Sequence, residues 1–444
     1  MEKKEVIIVG AGFTGLAAAY ELSKNGYKVL VLEADKNPGG LAGTFEFNDG
    51  VDVEKFYHHW FNNDHYVPQL LKELGMEGEI VTLPTKTGMY FNGRIWKLST
   101  PIDVLKFKAL SIADRLRLGY LVFQVRRIKN WKTIEHLTIR EWLEPLCGKT
   151  VFKIIWEPLI RSKFSIYAES VNAVWMWKKL VLRGGTRNKK GGEELAYFKG
   201  GFGELAKGIV SYIEKNGGEI RFDEKVKGVK SDKKGIISIK TQNDEIHAKQ
   251  FLFTPSLSII ADIFNNCPHP DWISRLRKVN YLGNICLVLR LKKSLSDTYW
   301  LNVNDPGFPF VGVIEHTNFD KTENYGNSHI VYLSRYLATE DSIWKYDDDQ
   351  YLRYCIKHLK RMFPDFKASW VKESRVWRES YAQPIVEKNY SEYLSRLEVP
   401  YKNASIASMA QIYPEDRGTN YAIRDGRIAA QYIIKKLSNE KSSK

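Results

Sequence analysis

VIIVGAGFTGLAAAYELSKNGYKVLVLEADKNPGGLAGT, Val6 to Thr44, holds two glycine clusters where one would suffice to cradle a phosphate. The first half reads as strand, tight turn, helix, strand. Val6 to Val9 is an apolar, β-branched run, and Gly10, Gly12 and Gly15 supply G-x-G-x-x-G. The alanine-rich stretch Leu16 to Leu22 is a good helix former, and Phe13 and Thr14, between the glycines, are expected to bind the cofactor with them. A second strand, Lys28 to Leu32, ends on Glu33, eighteen residues after Gly15, with Ala34 next. An acid at that place can accept the ribose hydroxyls of an adenosine. The three glycines serve different ends, since Gly10 makes the turn, Gly12 lets the backbone approach a pyrophosphate, and Gly15 lets helix and strand pack closely. The phosphates then rest on the helix N-terminus. A lone G-x-G-x-x-G is often an ordinary glycine turn. Here strand, helix, second strand and terminal acid agree on a dinucleotide site.

The second cluster, Gly39, Gly40, Leu41, Ala42, Gly43 and Thr44, lies just past the ribose acid. A simple nicotinamide domain needs no further backbone approach to a ligand there. E-x(5)-G-G-x-x-G-T after the first βαβ unit resembles the flavoprotein group of monoamine oxidases, protoporphyrinogen oxidases, phytoene desaturases and, more distantly, UDP-galactopyranose mutases. In that group the extra glycines run past the FAD phosphates toward the flavin, so the resemblance implies FAD and gives these residues to the cofactor. Two later stretches are also similar. KGGFGELAKGIV, Lys199 to Val210, matches a Gly-Gly turn opening a helix, and the strands after it place Val226 where the family brings a backbone valine to the adenine. ASIASMAQIYPEDRGTNYAIRDGRIAAQYIIKKL matches the closing segment beside the flavin, with Gly418, Asn420, Tyr421 and Gly426 in its loop and helix. The family usually has Gly-Asp or Gly-Glu after the closing strand. This chain has Ala410-Gln411, which puts the contact from Gln411 in doubt.

The resemblance implies an α/β fold: a Rossmann-type, glutathione-reductase-like FAD-binding domain with an interleaved α+β substrate domain. The cofactor pieces are expected at 1–75, 200–280 and 400–438, the substrate pieces at 76–199 and 281–399, and a flexible tail at 439–444. Residues 100–183 read as mostly helical, while YLGNICLVLRL, TYWLNV, FPFVGVIEHTN and HIVYLSRYL within 281–340 read as strands.

At 444 residues, 43% hydrophobic and 27% charged, the chain has the composition of a globular protein of two domains. No apolar run reaches the length of a membrane span. The first strand starts almost at Met1, leaving no room for a signal peptide, and four scattered cysteines without C-x-x-C spacing fit a reducing cytoplasm. Neither the cysteines nor the nine histidines show a metal signature. The net charge of +15 admits nucleic acid, an anionic membrane surface or an anionic substrate, with a solvated lysine-rich surface as the structural alternative. No nucleic-acid module is present, and the lysines are dispersed. Thr100 to Trp131 interleaves Lys106, Lys108, Arg115, Arg117, Arg126, Arg127 and Lys129 with Leu105, Phe107, Leu116, Tyr120 and Phe123. Such a segment either lies on anionic lipid at the inner face of a membrane or forms two helices over the substrate domain; the second reading is preferred. Oligomeric state is left open.

Flavin chemistry asks the protein for orientation, electrostatics and exclusion of water more than for a triad. VDVEKFYHHWFNND, Val51 to Asp64, places His58 and His59 among Tyr57, Trp60 and Phe61, near where the family chain returns along the flavin. One imidazole is expected at the ring and the other at the substrate, with proton shuttling as their chemistry and loop hydrogen bonding as the structural alternative. A second group is Tyr299, Trp300, Glu315 and His316, on strands expected to roof the cavity. A third is Trp156, Arg161, Lys163, Trp175 and Trp177, whose tryptophans are better read as core. The function expected is hydride transfer between FAD and a small lipophilic, aromatic or amine substrate. The alternative is a mutase-like, non-redox flavoenzyme acting on a sugar nucleotide, with Arg161, Lys163 and Arg335 on its diphosphate. A second alternative is a non-catalytic flavin-containing membrane adaptor.

Overall fold

A computed structural model describes residues 4–97, 103, 106–185 and 193–442. Strand β1 (Lys4–Val9), helix α1 (Phe13–Lys24) and strand β2 (Val29–Leu32) form the opening unit, with β1 and β2 parallel from Val6 opposite Val29 to Val9 opposite Leu32. Val6 to Val9 and Val29 to Leu32 are all buried, as a parallel sheet covered on both faces requires. The sheet extends across space from Glu219–Arg221 through β2, β1 and Glu245–Phe253 to Ile236–Thr241 and Val226–Ser231. Ala404–Ile406 returns from the far end of the chain to pair with Glu245–Phe253. On one side α1 packs against the last helix, Thr419–Ser442. Their crossing is close: a Cβ on Gly426 would lie 2.2 Å from the Thr14 carbonyl oxygen, so a glycine is required there.

Helix α2 (Ile112–Arg127), strand β3 (Tyr281–Leu291) and strand β4 (His329–Leu337) belong to the second layer. Its seven-stranded sheet runs Val371–Pro384, β3, β4, Gly312–Glu315, Trp300–Val303, Thr87–Phe91, Arg94–Lys97. All neighbours are antiparallel except Trp300–Val303 beside Thr87–Phe91. Alternation along β4 divides the environment in two. Val331, Leu333 and Leu337 join the core under helix Asp348–Met362, while Tyr336 joins a core built with helices Ile139–Cys147, Glu157–Phe164 and Ala173–Gly185. The four runs read as strands in 281–340 each contain one. A Rossmann-type sheet, parallel from Glu219–Arg221 to Glu245–Phe253 and continued by two antiparallel strands, beside a mainly antiparallel sheet with helices is the expected mixed α/β class.

Two expectations change here. The tail expected to be flexible from residue 439 continues the final helix as far as Ser442; 443–444 lie outside the described residues. In the basic aromatic segment, residues 100–102, 104 and 105 are also outside them. Most of the remainder forms α2, capped by Ser111, whose Oγ accepts from the Asp114 amide. The helix does pack inward, through Leu121 and Val125, but it leaves Ile112, Leu116, Tyr120, Val122 and Phe123 exposed, 74% at Ile112 and 67% at Leu116. No helix among the described residues is long and apolar enough to cross a membrane.

Candidate active site and cofactor cradle

The two glycine clusters are one structure. Gly10 has φ +99°, and a Cβ on Gly15 would stand 1.9 Å from the Gly10 oxygen, so turn and close packing both exclude a side chain. Gly12 is different: a Cβ there would meet nothing within 4 Å, leaving open space at the N-terminus of α1. The Gly39 amide donates to the Ala11 carbonyl at 2.9 Å, and Gly40 sits on Gly12. Glu33 closes the cradle, accepting from the Ala11 amide at 2.6 Å and the Asp35 amide at 2.9 Å. Burial pushes its carboxyl up against the pull of those donors. Each oxygen retains a second lone pair, which a ribose hydroxyl can use. The Glu224 amide donates to the Glu33 carbonyl at 2.8 Å, laying the chain before buried Val226 alongside the cradle. These residues fit a dinucleotide: open backbone at the phosphate position, and an acid with acceptor capacity beyond it.

Other expected cofactor residues have structural partners. Phe13 packs on Phe202, and the Thr44 hydroxyl donates to Asp52 at 3.0 Å, next to Gly203. Ala42 is buried in the core around α1. Gln411 Oε1 accepts from the Ser408 amide, so that side chain turns back on its own loop. Asn420 Oδ1 accepts from the Tyr66 and Val67 amides at 2.8 and 3.2 Å, capping helix Tyr66–Glu73. Leu41, Gly418, Asn420 and Tyr421 line a cavity of about 810 Å³.

This cavity lies between the second sheet, helices α2, Glu157–Phe164 and Ala173–Gly185, and the loop before the last helix, and brings together Tyr57, His58, His59, Lys163, Tyr299 and Trp300 from the sequence candidates. His58 Nδ1 donates to the Phe56 carbonyl at 2.7 Å, which leaves Nε2 as the acceptor of a neutral ring. Burial lowers its pKa, reinforcing that neutral form. His59 Nδ1 is 2.9 Å from the Tyr299 hydroxyl, and its ring meets Trp300 edge-on. Tyr57 packs perpendicular to Trp300, with centroids 4.9 Å apart. Trp156 and Trp175 also line the cavity, whereas Trp177 donates to the Val125 carbonyl.

Four candidates stand elsewhere. Glu315 ends its strand and is buried, with both oxygens accepting from the amides of Leu295 and Ser296. His316 begins a 3-10 turn in which Nε2 pairs with the Tyr325 hydroxyl at 2.7 Å. Alternation puts Glu315 on the Val313 face, away from the cavity-lining Gly312, and the strand stops before His316, so both hold the Leu295–Tyr325 connections in place. Arg161 is occupied by Glu157 and Glu169 outside the cavity. Arg335 is sent by the β4 alternation to the opposite face from Tyr336, where it donates to the Phe308 carbonyl.

The sequence reading missed Tyr336, Asp416 and Arg417. Arg417 donates to the Tyr336 hydroxyl and to Gln383 Oε1, both at 2.8 Å, and Lys163 Nζ lies 4.1 Å from the Tyr336 ring centre. Burial pushes the Tyr336 phenol up, but Lys163 and Arg417 outweigh it and bring it down to about 8. Asp416 accepts from Trp175 Nε1 at 2.8 Å and pairs with Lys179 at 2.6 Å. Among the described residues no group of His, Cys, Asp and Glu side chains is arranged to hold a metal ion.

Residues 13–434 match the model of the flavin containing amine oxidoreductases, and the chain belongs to that family. It is 22% identical to a 15-cis-phytoene desaturase of Glycine max over 384 residues, covering 81% of this chain and 66% of the desaturase. The chain therefore spans about two thirds of the length of that relative. Among solved structures it resembles one from Exiguobacterium sp. 255-15, provisionally called a protoporphyrinogen oxidase, with a TM-score of 0.76 at 15% identity over 98% of this chain and 99% of that one. A reduced UDP-galactopyranose mutase superposes with a TM-score of 0.75 at 15% identity, over 97% and 96% of the two chains. The structural likenesses establish the fold. Family membership implies FAD as the cofactor.

Proposed function

We propose that this protein transfers a hydride between a lipophilic substrate and FAD, with the substrate held in the cavity between the second sheet and its helices. When bound, FAD supplies the hydride acceptor or donor. The chain's own residues bind, orient and exclude water. The observation that carries the reading is the cavity lining, where Trp156, Trp175, Trp300, Leu159, Leu180 and Met176 form an apolar wall large enough for a lipophilic body. His58 Nε2, on a ring held neutral, can accept a proton at the wall, and the hydroxyl of Tyr299 fixes His59 beside Trp300. Five cations, Arg115, Arg126, Lys163, Lys179 and Arg417, face this space against two carboxylates, Asp64 and Asp416, which disfavours a protonated amine as substrate.

The mouth supports a lipophilic substrate. Arg115, Leu116, Leu118, Gly119, Val122 and Arg126 of α2 border the cavity, and the same helix exposes Ile112, Tyr120 and Phe123 outward. An exposed apolar stripe flanked by arginines fits contact with an anionic membrane surface, from which a substrate could enter without crossing water. Anaerobic mixing of the oxidised holoenzyme with candidate lipids tests the reading: a true substrate bleaches the flavin absorbance. The mutase alternative is favoured by its own observation, the cationic inner wall, and predicts activity on a sugar nucleotide only after the flavin is chemically reduced.

A further inference from the structure

Charge in the cavity is unevenly satisfied. Asp416 has both oxygens engaged, by Trp175 and Lys179, and Asp64 accepts from the Phe61 amide at 3.0 Å. Lys163 and Arg417 are left: among the described residues no carboxylate comes within 4.0 Å of either. Both instead converge on the hydroxyl and ring of Tyr336, which is 8% exposed. A phenol is a weak substitute for an anion. Two neighbouring cations in a low-dielectric wall repel each other and lose hydration; burial lowers the pKa of Lys163 and Arg417 adds to the shift, against Tyr336 and the more distant Asp416, while Tyr336, Asp416 and Tyr57 hold Arg417 charged. Such an arrangement is stable only at a cost, which an incoming anion would offset through charge-assisted hydrogen bonds. The guanidinium is already fixed by Gln383, so little ordering remains to be done on binding.

We propose that Lys163 and Arg417 form a subsite for the anionic group, carboxylate or phosphate, of a substrate whose remaining body is apolar. The inference rests on the placement of substrate in this cavity and deepens it by naming the polar end. The apolar body lies against Trp156, Leu159, Met176 and Leu180, and the mouth arginines Arg115 and Arg126 draw the anion in. Tyr336 serves as a built-in reporter. Facing its hydroxyl are the cations Lys163 and Arg417 and the hydroxyl of Tyr57, with the Lys179–Asp416 pair behind Arg417 and the Cys286 thiol nearby on β3. A bound anion competes with the phenolate for the same two cations, so the Tyr336 ionisation near pH 8 moves upward when the subsite fills.

The test uses the holoenzyme and five probes: decanoate, decyl phosphate, decan-1-ol, decylamine and inorganic phosphate. Affinity is read from perturbation of flavin absorbance and tryptophan fluorescence, and Tyr336 from phenolate absorbance, with Tyr336→Phe identifying its signal. The subsite predicts that at least one anionic amphiphile binds about tenfold or more tighter than decanol, with decylamine weakest and inorganic phosphate weak for want of an apolar body. Whichever of decanoate and decyl phosphate binds tighter identifies the anion. Lys163→Gln and Arg417→Gln should each erase most of that advantage while leaving decanol affinity unchanged. Equal binding of decanol and both anions by the wild type overturns the subsite, and so does an anion preference that survives both substitutions. A variant that loses its cofactor is still read by tryptophan fluorescence, and Lys163→Arg and Arg417→Lys, which keep the charge, should retain the preference. An anion preference in an enzyme that no compound reduces would uphold the subsite and sink the oxidoreductase reading; flavin reduction by neutral lipids without anion preference would do the reverse.

Discussion

A Cβ placed on Gly40 would stand 3.2 Å from the Gly12 Cα, and the two glycines belong to different clusters. The second cluster is therefore docked on the first, through this contact and the Gly39 to Ala11 hydrogen bond. Together they carry one continuous cradle from the N-terminus of α1 toward the cavity, where Leu41 already forms part of the lining.

Two substitutions in the first cluster should part company. Gly12 has φ −69°, open to any residue, and faces empty space, so Gly12→Val should fold but fill the pyrophosphate position and purify nearly colourless. Gly15→Ala drives a methyl into the Gly10 carbonyl and should destabilise the protein by about 3 kcal/mol or more. Thermal unfolding and flavin content, measured on both, separate the outcomes; a yellow, fully loaded Gly12→Val would remove FAD from this loop.

Replacing His58 or His59 singly with alanine should leave FAD in place, because the glycines and Glu33 hold the far end of the cofactor. Turnover should fall, since a positioned acid-base group contributes on the order of a hundredfold. Losses below about threefold in both variants would make the pair structural.

Salt should govern any membrane contact. The protein is expected to float with anionic vesicles at low ionic strength and to leave them as salt rises, because exposed charges are screened within about 8 Å at physiological strength. Phe123→Ser or the pair Arg126→Glu and Arg127→Glu should abolish flotation. Flotation indifferent to salt and to these changes would assign the exposed stripe of α2 to another partner.

Glu315 makes stability depend on pH. Burial raises its carboxyl to about 7 from an ordinary 4.5, against the pull of its hydrogen-bond donors. The folded state thus holds a proton that the unfolded chain has released, and the protonated form's contribution is complete below the unfolded value. It is lost as pH climbs through the folded value. On the order of 3 kcal/mol should disappear across that interval, relative to Glu315→Gln. Denaturant titrations of both proteins at several pH values would show it; parallel profiles would refute it.

The opening βαβ unit was legible because its signals are local: β-branched runs, obligatory glycines and an acid at a fixed offset. The histidine pair was legible for the same reason. Tyr336 and Arg417 were not, since they meet only when β4 and the loop before the last helix are brought together across 81 residues. A period-2 reading of HIVYLSRYL groups Tyr332, Ser334 and Tyr336 on one face and puts Arg335 on the other, but it does not say which face lines a cavity. Glu315 misled because alternation puts it with Val313 on the face away from the cavity, and His316 because the strand ends one residue before it.

The central claim is that a hydride passes between a substrate and FAD in this cavity. Its most direct test is the flavin spectrum of oxidised holoenzyme mixed without oxygen with lipophilic compounds that carry a carboxylate or phosphate. The account predicts bleaching of the oxidised flavin band by at least one of them, stoichiometric with product and slowed in His58→Ala. If none bleaches it, and a UDP-sugar is converted only after dithionite reduction with no net change in flavin oxidation state, the oxidoreductase account is contradicted and the mutase reading takes its place.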